Sequence, residues 1–206
     1  MTDEDYMREA LALAKTAFEM GEVPVGAVAV WDGKIVGRGM NRRETDKNAL
    51  RHAEISAIDE ACRTLGGWRL WKCDLYVTLE PCPMCAGAII NSRVRRVIYG
   101  ASDKKAGSCG SVVDMFALPY NHRPEVTSGV LEEECSALLT EFFGRLREKR
   151  KSAAKNNAEC GMRNNAQGIL RTFLGSPARA RRIKSESRLP CVRGAGFSAC
   201  FTSRKD

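Results

Sequence analysis

Long apolar runs are absent from this chain of 206 residues. A membrane-spanning helix needs about 20 predominantly apolar residues in succession, and the sequence has no such stretch. Three of the first five residues, Met1 to Asp5, are acidic, and no apolar segment follows that could form the core of a signal peptide. We therefore expect a soluble, cytoplasmic protein that does not associate with a membrane.

The chain also lacks regular cysteine spacing and is poor in histidine. Its nine cysteines are an odd set without a repeated interval, which argues against the disulfide framework of a small secreted protein. Thiols or metal ligands in a reducing compartment are expected instead. The two histidines are His52 and His122.

The first 150 residues carry no excess of positive charge. The net charge is +8, but residues 151–206 hold 12 Lys and Arg against 3 Asp and Glu, which leaves 21 and 22 for residues 1–150. Affinity of the first part for nucleic acid must therefore come from local basic groups rather than from bulk charge. The candidates are Arg93, Arg95, Arg96, Lys104 and Lys105.

Helical and strand patterns alternate along residues 5–150, after an opening hairpin that turns at Asp32-Gly33. This order predicts an α/β sandwich built on a mixed sheet. The predicted helices are 5–20, 53–65, one that begins at Pro83 and 131–150, and the predicted strands are 25–30, 34–39, 74–79, 94–100 and 125–130.

Beyond about residue 152 the helical pattern fails. We predict a folded domain over residues 1–151 and a basic, disordered extension over residues 152–206. The extension could be an RNA-affinity arm that is ordered on binding, or translated sequence without a selected role. Its irregular composition favours the second interpretation.

Two short motifs stand at the starts of predicted helices, His52-Ala53-Glu54 and Pro81-Cys82-Pro83-Met84-Cys85. Together they match H-x-E with P-C-x-x-C, the signature of zinc-dependent nucleobase deaminases. Each motif alone is weak evidence, because C-x-x-C also occurs in structural zinc sites and H-x-E is common by chance.

The spacing has a physical reason. Cys82 and Cys85 are three residues apart, so on the first turn of a helix both sulfur atoms can point at one ion. His52 supplies a third ligand, and a tetrahedral Zn²⁺ then keeps a fourth position for the water that it activates. Glu54 is suited to carry protons from that water to the ring nitrogen and the departing amine. A purely structural site would need a fourth ligand, yet His122 lies in a predicted loop.

Residues 1 to about 151 resemble the bacterial tRNA-specific adenosine deaminases. The resemblance is carried by the zinc motifs and by Gly21 to Ala27, Leu75 to Ile89 and Gly129 to Phe143. It implies a three-layer α/β/α cytidine-deaminase-like fold with a mixed five-stranded sheet. It also implies a homodimer, a tRNA anticodon stem-loop with its target nucleotide splayed into the pocket, and no nucleotide cofactor.

The resemblance further implies roles for individual residues. His52, Cys82 and Cys85 would bind one Zn²⁺ per subunit, and Glu54 would be catalytic. The implied substrate-binding residues are Asn41, Ala53, Pro81, Asp103, Phe143 and Arg145.

Three of these positions have a simpler interpretation or an irregular context. From the residues alone, Asn41 could equally stabilise a turn, and Asp103 could cap a helix or turn. Gly144 follows Phe143 where the family usually has a basic residue, which alters the context of Arg145.

The predicted function is hydrolytic deamination of the wobble adenosine to inosine in tRNA, in particular an arginine tRNA, by a zinc-activated hydroxide with Glu54 as proton shuttle. The alternatives are a guanine or cytosine-type free-base deaminase of the same fold and a non-catalytic, zinc-containing RNA-binding protein. The intact Glu54 argues against the last of these.

Overall fold

The computed structural model describes residues 1–173, with side chains described as far as residue 154. Predictions that concern residues 174–206 lie outside the described residues. A short 3₁₀ helix, Met115–Ala117, which the sequence did not reveal, follows the fourth strand. The helices are α1 (Asp3–Glu19), α2 (Ala53–Leu65), α3 (Pro83–Ser92) and α4 (Glu132–Phe173), and the strands are β1 (Gly26–Trp31), β2 (Lys34–Met40), β3 (Cys73–Leu79), β4 (Arg96–Ala101) and β5 (Glu125–Thr127).

The five strands form one mixed sheet in the order β2-β1-β3-β4-β5. Strand β1 is antiparallel to β2 and to β3, whereas β3, β4 and β5 are parallel to one another. The hairpin between β1 and β2 turns through Asp32 and Gly33, whose φ angles of 49° and 70° are those of a tight two-residue turn. The predicted mixed sheet and its opening hairpin are confirmed.

Alternate residues of the central strands pack against different layers of helices. Ala27 and Ala29 of β1 pack with buried residues of α2 and α3, whereas Val28 and Val30 pack with those of α1 and α4. Side chains of a strand alternate between its two faces, so a sheet with apolar residues at successive positions needs a cover on both sides. The α/β/α arrangement of three layers is confirmed.

Two glycines let α2 lie close against β2. A Cβ atom at Gly39 would overlap the carbonyl oxygen of Ala53, and one at Gly37 would overlap that of Ala57. Ala53 lies between His52 and Glu54, so this close approach sets the position of both side chains relative to the sheet.

Gly39→Ala is expected to destabilise the protein by roughly 1–3 kcal/mol or more, because the new methyl group meets backbone atoms that cannot rotate away. Urea unfolding would measure the change in the free energy of unfolding. Gly87→Ala in α3 is the matched control, since nothing lies within 4 Å of its added Cβ. That variant should gain up to about 1 kcal/mol from helix propensity. Equal stability of Gly39→Ala and the unchanged protein would refute the close-packing argument.

The last helix continues past its predicted end at Arg150 and reaches Phe173. Loss of an amphipathic pattern does not by itself end a helix, and the chain has no proline between Pro124 and Pro177. The assignment of residues 152–206 to a separate disordered extension stays a prediction. None of the helices in the described part of the chain is long and apolar enough to cross a membrane.

Candidate active site

The amino-terminal ends of α2 and α3 bring His52, Cys82 and Cys85 together. His52 and Cys82 are the capping residues of the two helices, and Cys85 lies in the first turn of α3. Pro83 occupies the first position of α3, where proline has the required φ and no N–H is needed. The Nδ1 atom of His52 lies 3.6 Å from Sγ of Cys82 and 3.5 Å from Sγ of Cys85.

The donor set suits Zn²⁺. One ligand atom from each of the three residues lies within 4.8 Å of the other two. Among the residues that the structure describes, no fourth histidine, cysteine or carboxylate joins this cluster. A borderline-soft ion such as Zn²⁺ prefers imidazole nitrogen and thiolate sulfur, and three protein ligands are typical of a catalytic rather than a structural zinc site.

The three candidate ligand residues contact one another, and these contacts shift their pKa values. Hydrogen bonding to Cys85 lowers the pKa of Cys82 to about 4, although burial opposes this. Hydrogen bonding to Cys82, together with burial, raises the pKa of Cys85, and the Cys82 hydrogen bond also raises the pKa of His52. Two helix amino-termini favour negative charge at this point. A bound cation would stabilise both thiolates and displace the remaining thiol proton.

Glu54 lies in the first turn of α2 and is almost completely buried. Burial raises the pKa of its carboxyl group to about 7, since a charged carboxylate loses its hydration there. A carboxyl group with a pKa near neutrality can both accept and release a proton. Its position beside the three ligands is the one that a proton shuttle requires.

Glu54 and two of the three ligand residues line a cavity of about 530 Å³, within the usual size range of a small-molecule site. Cys82, His52 and Glu54 contribute to its wall. Of the six residues that the resemblance assigns to the substrate, the wall includes Asn41, Ala53, Asp103 and Phe143.

The other two substrate candidates, Pro81 and Arg145, are not part of that wall. Pro81 is buried, and its carbonyl oxygen accepts a hydrogen bond of 2.9 Å from the N–H of Ser108. Arg145 pairs with Glu141 and lies 4.9 Å above the ring centre of Phe18. Arg145 follows Phe143 by two positions in a continuous helix, so the two side chains leave opposite faces.

Asn41 and Asp103 each form a hydrogen bond within the fold and also line the cavity. Asn41 is buried, and its Nδ2 atom donates a hydrogen bond of 3.3 Å to Glu22. Asp103 accepts a hydrogen bond of 2.9 Å from the N–H of Lys105, as a turn-capping residue would. The turn-stabilising interpretation of these residues and the substrate-binding one are therefore compatible.

Sequence reasoning missed two buried glutamates that hold the loops of the cavity. Glu22 accepts from the N–H groups of Glu44 and Thr45, at 3.2 and 2.6 Å. Glu80 accepts from the N–H groups of Asp103, Cys109 and Ser111, at 3.0, 2.9 and 3.1 Å. The only available signal was an acidic residue within an otherwise apolar segment, directly before the motif in the case of Glu80.

The structure shows which basic side chains form ion pairs and which line the cavity, a distinction that the sequence did not provide. Arg95 pairs with Asp74, and Arg96 pairs with Asp3. Both arginines are thus engaged in ion pairs within the fold, and neither lines the cavity. Lys104, Lys105 and Arg43 instead lie at the cavity.

Sequence comparison with known proteins identifies deaminases, in agreement with the residues of the site. Residues 1–147 match the family model described as MafB19-like deaminase. The chain is 54% identical over 158 residues to the tRNA-specific adenosine deaminase of Bacillus subtilis, a match that covers 76% of this chain and 98% of that protein. It is 49% identical over 151 residues to the tRNA-specific adenosine deaminase of Haemophilus influenzae, covering 72% of this chain and 87% of that protein.

Solved structures show the same relationship. A structure from a study of A-to-I editing by tRNA:A34 deaminases is 47% identical, with a TM-score of 0.64, and the match covers 66% of this chain and 99% of that one. The guanine deaminase of Nitrosomonas europaea is 25% identical, with a TM-score of 0.55, over 68% of this chain and 83% of that one. The sequence identity and the share of the matched protein that is covered are both higher for the tRNA enzymes. This chain therefore belongs to the family of bacterial tRNA-specific adenosine deaminases.

Proposed function

We propose that this protein hydrolyses the 6-amino group of the wobble adenosine in the anticodon of an arginine tRNA, which yields inosine and ammonia. The observation that carries the proposal is that the cluster of His52, Cys82 and Cys85 lies at a cavity which His52 and Cys82 line together with the buried Glu54. The family to which the chain belongs supports adenosine in tRNA as the substrate.

His52, Cys82 and Cys85 would hold one Zn²⁺ per subunit. When bound there, zinc lowers the pKa of a water molecule and so makes a nucleophile available near neutral pH. His52 and Cys82 line the cavity together with Glu54, so an ion held by the three ligands would be available to a substrate in the cavity.

Glu54 moves the protons of the reaction. Its carboxylate takes a proton from the attacking water and passes it to N1 of the adenine ring, which prevents negative charge from accumulating on the ring. It then carries the second proton of the water to the exocyclic amine, which leaves as ammonia when its bond to C6 breaks. Burial keeps bulk water away from this exchange.

The rim of the cavity fits a strand of RNA. Lys104, Lys105 and Arg43 provide positive charge for phosphates on either side of the splayed nucleotide. Phe143 is 40% exposed and offers a ring face for stacking with a base. Asp103 is placed to accept a hydrogen bond from a ribose 2′-hydroxyl, the group that distinguishes RNA from DNA.

The proposal includes a homodimer in the cytoplasm, where tRNA is processed. Exposed large apolar side chains support a further protein contact, among them those of Trp68, Trp71, Leu118 and Tyr120. It also includes activity without the extension at 152–206, and most of that extension has no counterpart in the Bacillus subtilis relative, because the match that covers 98% of the relative takes in only 76% of this chain.

Inosine formation in a synthetic anticodon stem-loop tests the proposal. With zinc-loaded protein, we expect inosine at the wobble position of an arginine anticodon, and none when the same adenosine is placed in the stem. A stem-loop with 2′-deoxyadenosine at the target should react more slowly. Deamination of free guanine or cytosine, without any inosine in RNA, would overturn the RNA substrate and favour the free-base alternative.

A further inference from the structure

The carboxylate of Glu22 is sealed behind the substrate cavity. Glu22 lies between α1 and β1 and is 1% exposed. It accepts hydrogen bonds from the side chain of Asn41 and from the backbone of Glu44 and Thr45, so the loop after β2 folds around it.

The charge state of Glu22 determines how the Asn41 amide is oriented. Burial raises the pKa of Glu22, but the hydrogen bonds from Thr45 and Glu44 outweigh it and hold the pKa below its usual value. An ionised carboxylate accepts hydrogen bonds and cannot donate one, so Asn41 must turn its Nδ2 atom toward it. This contact, 3.3 Å long, leaves Oδ1 and the second N–H of Asn41 for a ligand.

That remaining pair of groups matches one edge of adenine. Adenine presents an acceptor at N7 beside a donor at its 6-amino group, and an amide side chain can bind both at once. Guanine presents two acceptors at the corresponding positions, and cytosine has no N7. Because Asn41 lines the cavity together with Glu54, its amide can meet the base that reacts there.

We infer that Glu22 is a positioning residue for base recognition, which holds the Asn41 amide in the orientation that binds N7 and the 6-amino group of adenine. Glu22 acts through Asn41 and does not touch the substrate. The inference rests on the proposed function, since it concerns the base that the same cavity accepts.

The test compares kcat/KM for stem-loops that carry adenosine or 7-deazaadenosine at the wobble position. The 7-deaza base lacks the N7 acceptor, and its altered intrinsic reactivity is the same for every protein variant. The ratio of the two kcat/KM values therefore reports the contact with N7. For Glu22→Gln we expect this ratio to fall about five-fold, the size of one neutral hydrogen bond, because glutamine can donate as well as accept and no longer fixes the amide.

Four further variants complete the test. Asn41→Ala should lower the ratio as much as Glu22→Gln does, and the double variant should lower it no further. Glu22→Asp, whose carboxylate is one methylene shorter and withdraws from Nδ2, should lower it too and serves if Glu22→Gln does not fold. Glu80→Gln is the matched control, because Glu80 is a second buried carboxylate that holds a cavity loop but does not contact Asn41.

The outcomes separate the two proposals. Glu80→Gln should slow both substrates equally and leave the ratio unchanged. If folded Glu22→Gln or Glu22→Asp keeps the ratio of the unchanged protein, the positioning role is wrong, whatever happens to the overall rate. If the unchanged protein forms no inosine from adenosine, it is the proposed function that fails.

Discussion

Replacing Glu54 by glutamine is expected to abolish turnover and to leave zinc bound. Glutamine has nearly the same shape and fills the same buried site, but it cannot take a proton from water or pass one to the ring. General acid–base catalysis contributes about 10²- to 10⁴-fold, and Glu54 serves both proton transfers, so we expect a loss of roughly 10³-fold or more. Inosine formation in the stem-loop and the zinc content per chain would be measured on the same preparation.

Glu60→Gln is a matched control for this variant. Glu60 lies on the same helix, is exposed, and accepts a hydrogen bond from the N–H of Arg38, which a glutamine oxygen can still accept. It should retain both zinc and activity. A Glu54→Gln protein that binds zinc and keeps more than about a tenth of the activity would show that another group carries the protons.

Replacing Cys82 by alanine is expected to prevent metal binding and, as a result, to abolish the activity. A three-ligand site that loses one thiolate is left with two ligands and less negative charge to balance Zn²⁺. Removing an outer-shell partner already costs about 10- to 100-fold in metal affinity, so a direct ligand should cost more. We expect well below one zinc per chain after dialysis, and no inosine above background.

Cys62→Ala is the corresponding control, because Cys62 is a half-buried cysteine of α2 outside the metal-ligand cluster. It should keep one zinc per chain and nearly full activity. A folded Cys82→Ala protein with one zinc and unchanged turnover would contradict the assignment of the three ligands.

The residues that we propose to perform the chemistry could be predicted from the sequence. Cys82 and Cys85 must be three residues apart for the start of α3 to aim both sulfur atoms at one ion, and His52 stands two residues before Glu54, so both spacings are visible as short motifs. The same holds for the element types: α2 and the start of α3 lie where the apolar spacing and Pro83 placed them.

The residues that support the chemistry could not be predicted from the sequence in this way. Glu22 and Glu80 act on loops that are distant in the sequence, through contacts 19 to 31 positions away, and their only local signal is an acidic residue in an apolar segment. Arg145 was assigned to the substrate by resemblance; in the structure it lies above the ring of Phe18, and its role in substrate binding stays a prediction. Arg95 and Arg96 were candidates for a nucleic-acid patch, and only the structure shows that each is paired with an acidic side chain.

By itself, then, the sequence determined the mixed α/β architecture and the family, and it predicted the metal ligands and the proton shuttle, because each depends on short spacings or on periodicity along the chain. Only the tertiary structure decided which side chains share the cavity, which basic groups are already neutralised, and how Glu22 orients Asn41. Those properties depend on which distant segments meet and on how deeply each group is buried. Burial and pairing in turn set the charge and the hydrogen-bonding direction of a side chain, and neither can be obtained from spacing alone.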